Sequence, residues 1–364
     1  EIPLRLVGSE MCIRDSLNTE LSDFYTAYRA DRPEVGMWAQ DWTLPEPTAD
    51  SYTDEMMANA KEFSDTAMVV ITRVGGEGAD LPTDVSKVTY TDNSTEYKDF
   101  EAGEHYLQLD RTERDMLDLV CSNFDNVIVV YNGANAMELG FINEYSQIKS
   151  AIWCPGTGQS GFEALGEIVA GTVNPSGKTS DTFVADLTAT PTWNNFGYFK
   201  YDNMDEYAYT SNNFKTGEEE TALPSFVNYV DGIYVGYRFY ETAAAEGLIN
   251  YDDTVVYPFG YGLSYTTFTQ EMGAISEDNG TISFDVTVTN TGDVAGKDVV
   301  EVYYNPPYTN GGIEKASANL IQFEKTEVLQ PDDSQTITVS FDAEDMASYD
   351  TYGAGCYVLE LSLI

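Results

Sequence analysis

The hydrophobic pattern changes its period once along this 364-residue chain, and that change constrains the fold more than any other feature. Between residues 54 and 183, short continuous apolar runs alternate with helix-like segments. After about residue 266, several segments alternate apolar and polar residues. Continuous runs are typical of strands covered on both faces in a parallel sheet, whereas strict alternation is typical of antiparallel sheets with one face on a core. The sequence therefore predicts an α/β domain followed by an all-β domain.

The first predicted domain, at residues 17–265, is an incomplete α/β sandwich with a mostly parallel sheet covered by helices. Thr112 and Asp115 are placed like an N-terminal cap for its second helix. Residues 184–255 are rich in Tyr, Asn, Asp and Glu and are predicted to form long surface loops. The predicted helices are residues 54–64, 112–123 and 161–170, and the predicted strands are residues 67–73, 127–131 and 151–154.

The second predicted domain, at residues 266–360, is a small antiparallel β-sandwich of the immunoglobulin or fibronectin type III kind. Its clearest strand alternates apolar and polar residues and is followed by an Asn-Thr-Gly-Asp turn. The same period recurs twice later in the domain. The alternating apolar residues are Ile282, Phe284, Val286 and Val288, then Val300, Val302 and Tyr304, then Ile337, Val339 and Phe341.

The charge of the chain excludes a nucleic-acid partner. The sequence contains 61 acidic and 18 basic residues, which gives a formal net charge of −43. Nucleic-acid binding requires a basic surface, whereas an acidic surface suits a neutral ligand. No stretch of about 18 apolar residues is present, so the sequence predicts no membrane span.

Carboxylates are the chemical groups that the composition leaves for catalysis. The four cysteines are widely spaced and indicate neither a disulfide framework nor a Cys-x-x-Cys metal site. The chain has one histidine, His105. This excludes most His-rich metal sites and makes a Ser-His-Asp arrangement depend on a single residue. We interpret His105, in a Tyr-rich loop, as structural.

Seven segments occur in an order and spacing that resemble glycoside hydrolase family 3 of the β-glucosidase type. They are residues 72–80 (TRVGGEGAD), 107–119, 129–135 (VVYNGAN), 173–178 (VNPSGK), 231–240 (DGIYVGYRFY), 257–265 (YPFGYGLSY) and 288–300 (VTNTGDVAGKDVV). The first six resemble the C-terminal α/β sandwich of that family, and the last resembles its fibronectin type III-like domain. The resemblance implies a retaining β-glycosidase that acts on β-linked glucosides or oligosaccharides without a metal or organic cofactor.

Glu77 matches the glutamate of the family's Gly-Glu-Gly loop, so the resemblance implies that Glu77 is the general acid/base. The position of Glu77 also suits a catalytic group, because ligands in open α/β folds bind at the carboxyl ends of strands. Glu77 lies four residues beyond Arg73, where a strand is predicted to end. The flanking glycines allow a close approach to a sugar. Without the resemblance, an exposed loop carboxylate would be the simpler interpretation.

Two further residues are candidates for substrate binding. Asp80 matches a substrate-side aspartate of the same motif, although Leu81 stands where many members have an arginine. Trp153 is a candidate platform for stacking against a sugar, with core packing as the alternative. Residues 158–161 read Gly-Gln-Ser-Gly where many members have Gly-Gln-Glu-Gly, which favours a structural turn there.

The resemblance also implies a partner domain. In the family, a TIM-like barrel supplies an aspartate nucleophile, and eight strand-helix repeats need ~250 residues. We therefore expect the nucleophile to be absent from this chain and the chain alone to be inactive. Residues 17–28 resemble the interior of the sandwich domain in members with reversed domain order, so the chain is predicted to be a fragment of such a β-glucosidase. The alternative is a stand-alone carbohydrate-binding or adhesion module without catalysis.

Both ends of the chain are expected to be foreign. Residues 6–16 (LVGSEMCIRDS) resemble translated sequencing-adapter read-through, and residues 361–364 resemble the start of the opposite adapter. Residues 1–16 and 361–364 are therefore excluded from the predicted fold. The sequence leaves the compartment, the oligomeric state and the exact sugar open.

Overall fold

The computed structural model of the chain describes residues 18–30, 46–75, 81–87, 100–158, 160–195, 199–213 and 216–360. The ends expected to be foreign, residues 1–16 and 361–364, lie outside these ranges. None of the helices in the described ranges has the length and apolar character needed to cross a membrane. The chain divides into two compact units. The first is Glu1–Ala185, Val255–Val302 and Gln322–Asp342, and the second is Asp186–Thr254, Tyr303–Ile321 and Ala343–Ile364.

A three-stranded parallel sheet organises the α/β part of the first unit, which confirms the predicted fold class. The strands are β1 (Thr66–Thr72), β2 (Asn126–Asn132) and β3 (Ile148–Trp153), and the helices are α1 (Thr19–Ala30), α2 (Asp54–Phe63), α3 (Arg111–Asn123) and α4 (Phe162–Val169). Strand β2 lies in the centre and pairs in parallel with β1 and with β3. Parallel pairing places the carboxyl ends of all three strands at the same edge of the sheet.

One face of this sheet packs against α2 and α3 in a single apolar cluster. Ile71 of β1 and Val129 of β2 contribute from the sheet, and Leu117 and Cys121 contribute from α3. Leu117 and Cys121 are four residues apart, so they lie on the same side of the helix. The burial of this stripe fixes α3 along the sheet and brings its N-terminus near the carboxyl ends of the strands.

The central strand is buried on both faces, whereas the edge strand β1 is not. Val129 and Val130, which point to opposite faces of β2, are both fully buried. Val70 lies beside Val130 in the register, yet Val70 and Met68 are each 45% exposed. The predicted cover on both faces therefore holds for β2 but, within the described residues, not for β1.

Helix α3 has a different N-terminal cap from the one predicted. The Asp110 carboxylate accepts the main-chain N–H of Glu113 at 2.7 Å, and the Glu113 carboxylate accepts the main-chain N–H of Asp110 at 3.0 Å. This reciprocal pair is a capping box. The predicted cap residues, Thr112 and Asp115, lie inside the helix. That prediction was wrong because Asp110 and Glu113 provide the same spacing two residues earlier.

The segment at residues 184–255 contains more regular structure than the predicted surface loops. The elements in and beside it are β4 (Phe183–Val184), β5 (Tyr209–Asn212), β6 (Glu219–Ala222), β7 (Val255–Tyr257), α5 (Tyr237–Ala245) and α6 (Tyr251–Thr254). Strands β5 and β6 form an antiparallel hairpin. Polar contacts hold α5: the Tyr237 hydroxyl accepts the N–H of Leu320, and the Thr242 hydroxyl accepts the N–H of Ser317. Such contacts leave no apolar period in the sequence, which is why the helix was missed.

The residues after 266 form the antiparallel β structure that the alternating pattern predicts. The strands are β8 (Phe268–Met272), β9 (Ser276–Asp278), β10 (Thr281–Asn290), β11 (Val299–Tyr304), β12 (Asn319–Lys325), β13 (Ser334–Asp342), β14 (Ser348–Tyr349) and β15 (Tyr357–Val358). Strand β10 pairs antiparallel with β8, β9 and β13, and β11 pairs with β12 in a separate sheet. The alternating residues Val288, Val300 and Ile337 meet in the core between them.

A buried asparagine organises the turn after β10. The Asn290 side chain is fully buried, and its amide donates to the carbonyl oxygens of Val294 and Leu329 at 2.8 and 2.9 Å. Its Oδ1 atom accepts the Thr266 hydroxyl at 2.7 Å and the Gly292 N–H at 3.1 Å. A buried amide is stabilising only when its donors and acceptors are satisfied. Asn290 meets this condition and joins the turn to both neighbouring segments.

The aromatic segment at residues 257–265 packs within the first unit. Tyr257 contacts Phe183 edge to face at 6.4 Å between ring centroids, and the Tyr265 hydroxyl donates to the Ile168 carbonyl oxygen at 2.8 Å. The Thr179 hydroxyl donates to the Pro258 carbonyl oxygen at 2.6 Å. These contacts support the structural role that the sequence suggested for the segment.

We predict that Val288→Ala lowers the free energy of unfolding by about 2 kcal/mol, because it deletes two buried methyl groups and leaves a cavity. Val294→Ala is the matched control, since Val294 is 42% exposed and Val288 is fully buried. Urea unfolding followed by circular dichroism measures both. Equal effects of the two substitutions would contradict the described core.

Candidate active site

The structure describes the base of the predicted acid/base loop and not its tip. Glu77 and Asp80 lie outside the described residues, as does Gln159 of the Gly-Gln-Ser-Gly segment. Arg73, Val74 and Gly75, which follow β1 and lead into this loop, are described. Trp153 is also described, at the end of β3. The candidate site is therefore built from the carboxyl ends of the three parallel strands.

Arg73 is buried together with Glu113, and the two form a bidentate ion pair. The exposed fractions are 5% for Arg73 and 3% for Glu113. The guanidinium Nη1 and Nη2 atoms lie 2.6 and 2.7 Å from the two carboxylate oxygens. Burial acts to lower the pKa of Arg73, but the charge of Glu113 and its hydrogen bonds raise that pKa by more. The guanidinium therefore stays protonated in the folded chain.

Main-chain carbonyl groups satisfy the rest of the Arg73 side chain. Its Nε atom donates to the Tyr106 carbonyl oxygen at 2.7 Å, and Nη2 donates to that of Gln108 at 2.5 Å. Nη1 donates to the Thr72 carbonyl oxygen at 2.8 Å. Arginine has five N–H donors, and these five bonds use all of them. Arg73 thus joins the end of β1, the 106–108 segment and the first turn of α3.

Tyr106 fixes the residue that follows Arg73. Its ring is fully buried, and the Arg73 Cζ atom lies 5.4 Å from the ring centroid. The Tyr106 hydroxyl accepts the main-chain N–H of Val74 at 2.9 Å. At the next position, a Cβ atom on Gly75 would lie 2.6 Å from the Asn135 Oδ1 atom, closer than real Cβ contacts allow. Arg73 and Val74 are therefore held by hydrogen bonds, and the space beside Gly75 does not admit a side chain.

Hydrogen bonds also connect the segments that follow β2 and β3. The Asn132 amide donates to the Cys154 carbonyl oxygen at 2.8 Å, and the Tyr131 hydroxyl donates to that of Asn135 at 2.8 Å. The main-chain N–H of Arg73 donates to the Asn132 carbonyl oxygen at 3.0 Å. The edge of the sheet where a ligand is expected in such folds is therefore tied together across all three strands.

Trp153 occupies a half-buried position against the core. Its indole N–H donates to the Gly133 carbonyl oxygen at 2.8 Å, and its ring meets Phe183 edge to face at 5.0 Å. These contacts are those of a packed residue that retains some exposed surface. Its role as a sugar platform stays a prediction.

The geometry around His105 supports its structural interpretation. The Leu107 N–H donates to its Nδ1 atom at 3.1 Å, so the ring proton lies on Nε2, which contacts the Glu138 carboxylate at 3.0 Å. This arrangement orders the 105–108 segment beside Arg73. Within the described ranges, no group of three or more His, Cys, Asp or Glu side chains is arranged to hold a metal ion.

Glu113 and Tyr106 are the site residues that the sequence analysis missed. Glu113 carries one local signal, because its spacing from Asp110 fits a capping box. Its contact with Arg73 joins residues 40 positions apart, and no local pattern indicates such a pair. Tyr106 is one of 26 tyrosines and carries no distinguishing signal in the sequence.

The chain matches two family models. Residues 12–265 match the glycosyl hydrolase family 3 C-terminal domain, and residues 298–360 match a fibronectin type III-like domain. The first match includes every segment of the candidate site.

Named relatives and a solved structure are similar to this chain over almost its whole length. Beta-glucosidase A of Butyrivibrio fibrisolvens is 34% identical over 91% of this chain and 38% of its own length. A beta-glucosidase of Ruminococcus albus is 31% identical over 93% of this chain and 30% of its own length. The crystal structure of a beta-glucosidase from Paenibacillus barengoltzii aligns with a TM-score of 0.72 at 31% identity, over 95% of this chain and 33% of that one. The chain thus spans about a third of the length of these relatives.

We predict that Trp153→Phe lowers the free energy of unfolding by about 1 kcal/mol, because the buried Gly133 carbonyl group loses its donor while the edge contact with Phe183 is kept. Tyr265→Phe is the control, since it also removes one hydrogen bond to a carbonyl group, but at an exposed tyrosine. Its effect should stay within about 0.5 kcal/mol. Urea unfolding of the two variants measures the difference. An unchanged free energy of unfolding in Trp153→Phe would show that the indole hydrogen bond does not stabilise the fold.

Proposed function

The chain belongs to glycosyl hydrolase family 3. We propose that it supplies the acid/base half of a retaining β-glucosidase active site. In this proposal Glu77 is the general acid and base. The substrate is a β-linked glucoside or oligosaccharide, and the nucleophile comes from a TIM-like barrel elsewhere in the same polypeptide. The acidic surface, with a net charge of −43, suits a neutral sugar.

The observation that carries the proposal is the anchored carboxyl end of β1. Arg73 is held by Glu113 and by three carbonyl groups, and the chain passes from there through Gly75 toward Glu77. A general acid must be held within hydrogen-bond reach of the oxygen that it protonates. A carboxylate four residues beyond the anchored Arg73 meets this requirement better than one on an unconstrained loop.

The proposed reaction is a double displacement. An aspartate of the barrel attacks the anomeric carbon while Glu77 gives its proton to the departing glycosidic oxygen, which leaves a covalent glycosyl-enzyme and an alcohol. The Glu77 carboxylate then removes a proton from water, which attacks the same carbon and releases the sugar and the aspartate. Retention requires the two carboxyl groups to lie ~5 to 5.5 Å apart. In this scheme Asp80 binds a sugar hydroxyl, and Trp153 contributes the exposed part of its ring.

The length of the relatives supports a separate source for the nucleophile. A barrel of eight strand-helix repeats needs ~250 residues. The relatives are β-glucosidases about three times longer than the matched region, which leaves ample room for such a domain.

We predict that purified residues 1–364 do not hydrolyse aryl β-glucosides, because an acid/base group without its nucleophile cannot form the covalent intermediate. The same assay on the polypeptide with its barrel should show turnover and is the positive control. Turnover by the chain alone, after contaminating glycosidases are removed, would contradict the proposal that the nucleophile lies in a separate barrel. Tight sugar binding by the chain without activity in either form would favour a carbohydrate-binding module.

We predict that Glu77→Gln in the barrel-containing protein lowers kcat/KM for alkyl glucosides by about 10²- to 10⁴-fold, because these poor leaving groups need a proton. Dinitrophenyl glucosides need little protonation, so their kcat/KM should fall much less. Deglycosylation also loses its base, so azide should restore turnover and give the β-glycosyl azide.

Asp80→Asn is the comparison variant for this test. If Asp80 only holds the sugar, its effect should be similar for all leaving groups, and azide should not restore activity. A Glu77→Gln enzyme with the leaving-group dependence of the native enzyme and no azide rescue would assign the acid/base role to another residue.

A further inference from the structure

We propose that Arg73, Glu113 and Tyr106 are positioning residues that aim the loop carrying the acid/base carboxylate. The inference rests on the proposed function of Glu77 and goes beyond it, because it assigns a catalytic consequence to three buried side chains that lie outside the loop. We call these three side chains the strand-end anchor.

The hydrogen bonds of the anchor fix the orientation of the end of β1. All five donors of Arg73 are used, two on the Glu113 carboxylate and three on main-chain carbonyl oxygens. These acceptors belong to three different segments: β1, the 106–108 segment and α3. A planar guanidinium that is bonded along its whole edge can satisfy all of them in only one orientation. The end of β1 is therefore fixed in rotation as well as in position.

The anchor is a costly way to obtain stability alone. Taking two charges out of water opposes folding, and apolar residues of the same volume often stabilise a protein equally well or better. The first unit already has a large apolar cluster directly beneath this site. A buried ion pair at Arg73, the first residue after β1, is explained better by a requirement for geometry.

The two residues that follow Arg73 in the direction of Glu77 also contact neighbouring side chains. The Val74 N–H is held by the Tyr106 hydroxyl at 2.9 Å, and Gly75 lies against the Asn135 side chain. A misplacement of about 1 Å far from the chemistry can lower a rate about 100-fold. Loss of the anchor should therefore impair the step that needs Glu77 in place, the protonation of a poor leaving group.

The experiment uses the barrel-containing protein with Arg73→Met and Glu113→Leu combined, which removes both charges together and leaves no unpaired buried ion. We expect kcat/KM for alkyl glucosides to fall about 100-fold. For dinitrophenyl glucosides we expect a fall of only a few fold, because proton donation contributes little there.

Leu117→Ala is the matched control on the same helix. Leu117 is fully buried in the apolar cluster between α3 and the sheet, and its side chain has no polar atom that could bond to Arg73 or Glu113, so its truncation lowers stability without removing a bond of the anchor. It should lower the melting temperature and leave the ratio of kcat/KM between the two leaving groups unchanged. A shift of that ratio in Leu117→Ala equal to that in the double variant would overturn the inference, because general loosening would then explain both.

Tyr106→Phe tests the anchor with the smallest change. It keeps the buried ring and removes only the hydroxyl that holds Val74. We expect the same preference for good leaving groups, about 10-fold in the ratio. If the double variant does not fold, this variant alone decides: a folded Tyr106→Phe enzyme with the native ratio overturns the inference.

Glu77→Gln, measured in parallel, separates this inference from the proposed function. If Glu77→Gln shows strong leaving-group dependence and azide rescue while the anchor variants keep the native ratio, only the positioning role is wrong. If Glu77→Gln itself keeps the native ratio, the proposed function is wrong and the positioning role falls with it.

Discussion

The buried ion pair of Arg73 and Glu113 is the interaction on which the candidate site depends. It joins the first residue after β1 to the first turn of α3. Each charge is tolerable in the interior because the other is present and the remaining guanidinium protons have carbonyl partners. Removal of one partner would leave an uncompensated charge beside the sheet, so the two residues act as a unit.

Glu113 performs two tasks with one carboxylate. It accepts the Asp110 N–H to complete the capping box, and it accepts two donors from Arg73. A carboxylate has lone pairs enough for all three bonds. The consequence is that the start of α3 and the end of β1 are fixed by the same group, so the helix cannot shift along the sheet without breaking its own cap. The apolar stripe of α3 packs the helix against the sheet, and Glu113 joins the first turn of the helix to the end of β1.

The features that the sequence predicted correctly are those with a local signal. The period of two between Ile282 and Val288 identified β10, and the apolar run before Arg73 identified β1. The shift of the cap from Thr112 to Asp110 was a choice between two local patterns of the same kind. Helix α5 has no such signal, since its buried side includes only Tyr240 and Ala243 and polar contacts hold the rest. The partners of Arg73 and the burial of Asn290 depend on contacts between distant residues, which no spacing in the sequence indicates.

Under the proposed function two domains share the active site, and the location of the anchor inside one of them then has an energetic consequence. Ordering one residue of a loop costs about 1–2 kcal/mol of backbone entropy. If residues 73–75 were fixed only when a barrel docked or a sugar bound, that free energy would be subtracted from docking or from substrate binding. Bonds to Glu113, Tyr106 and Asn132 fix Arg73 and Val74 in the fold of the α/β domain itself. Under the proposed function, the acid/base half is thus preorganised as far as Val74, and the binding energy of the sugar remains available for the transition state.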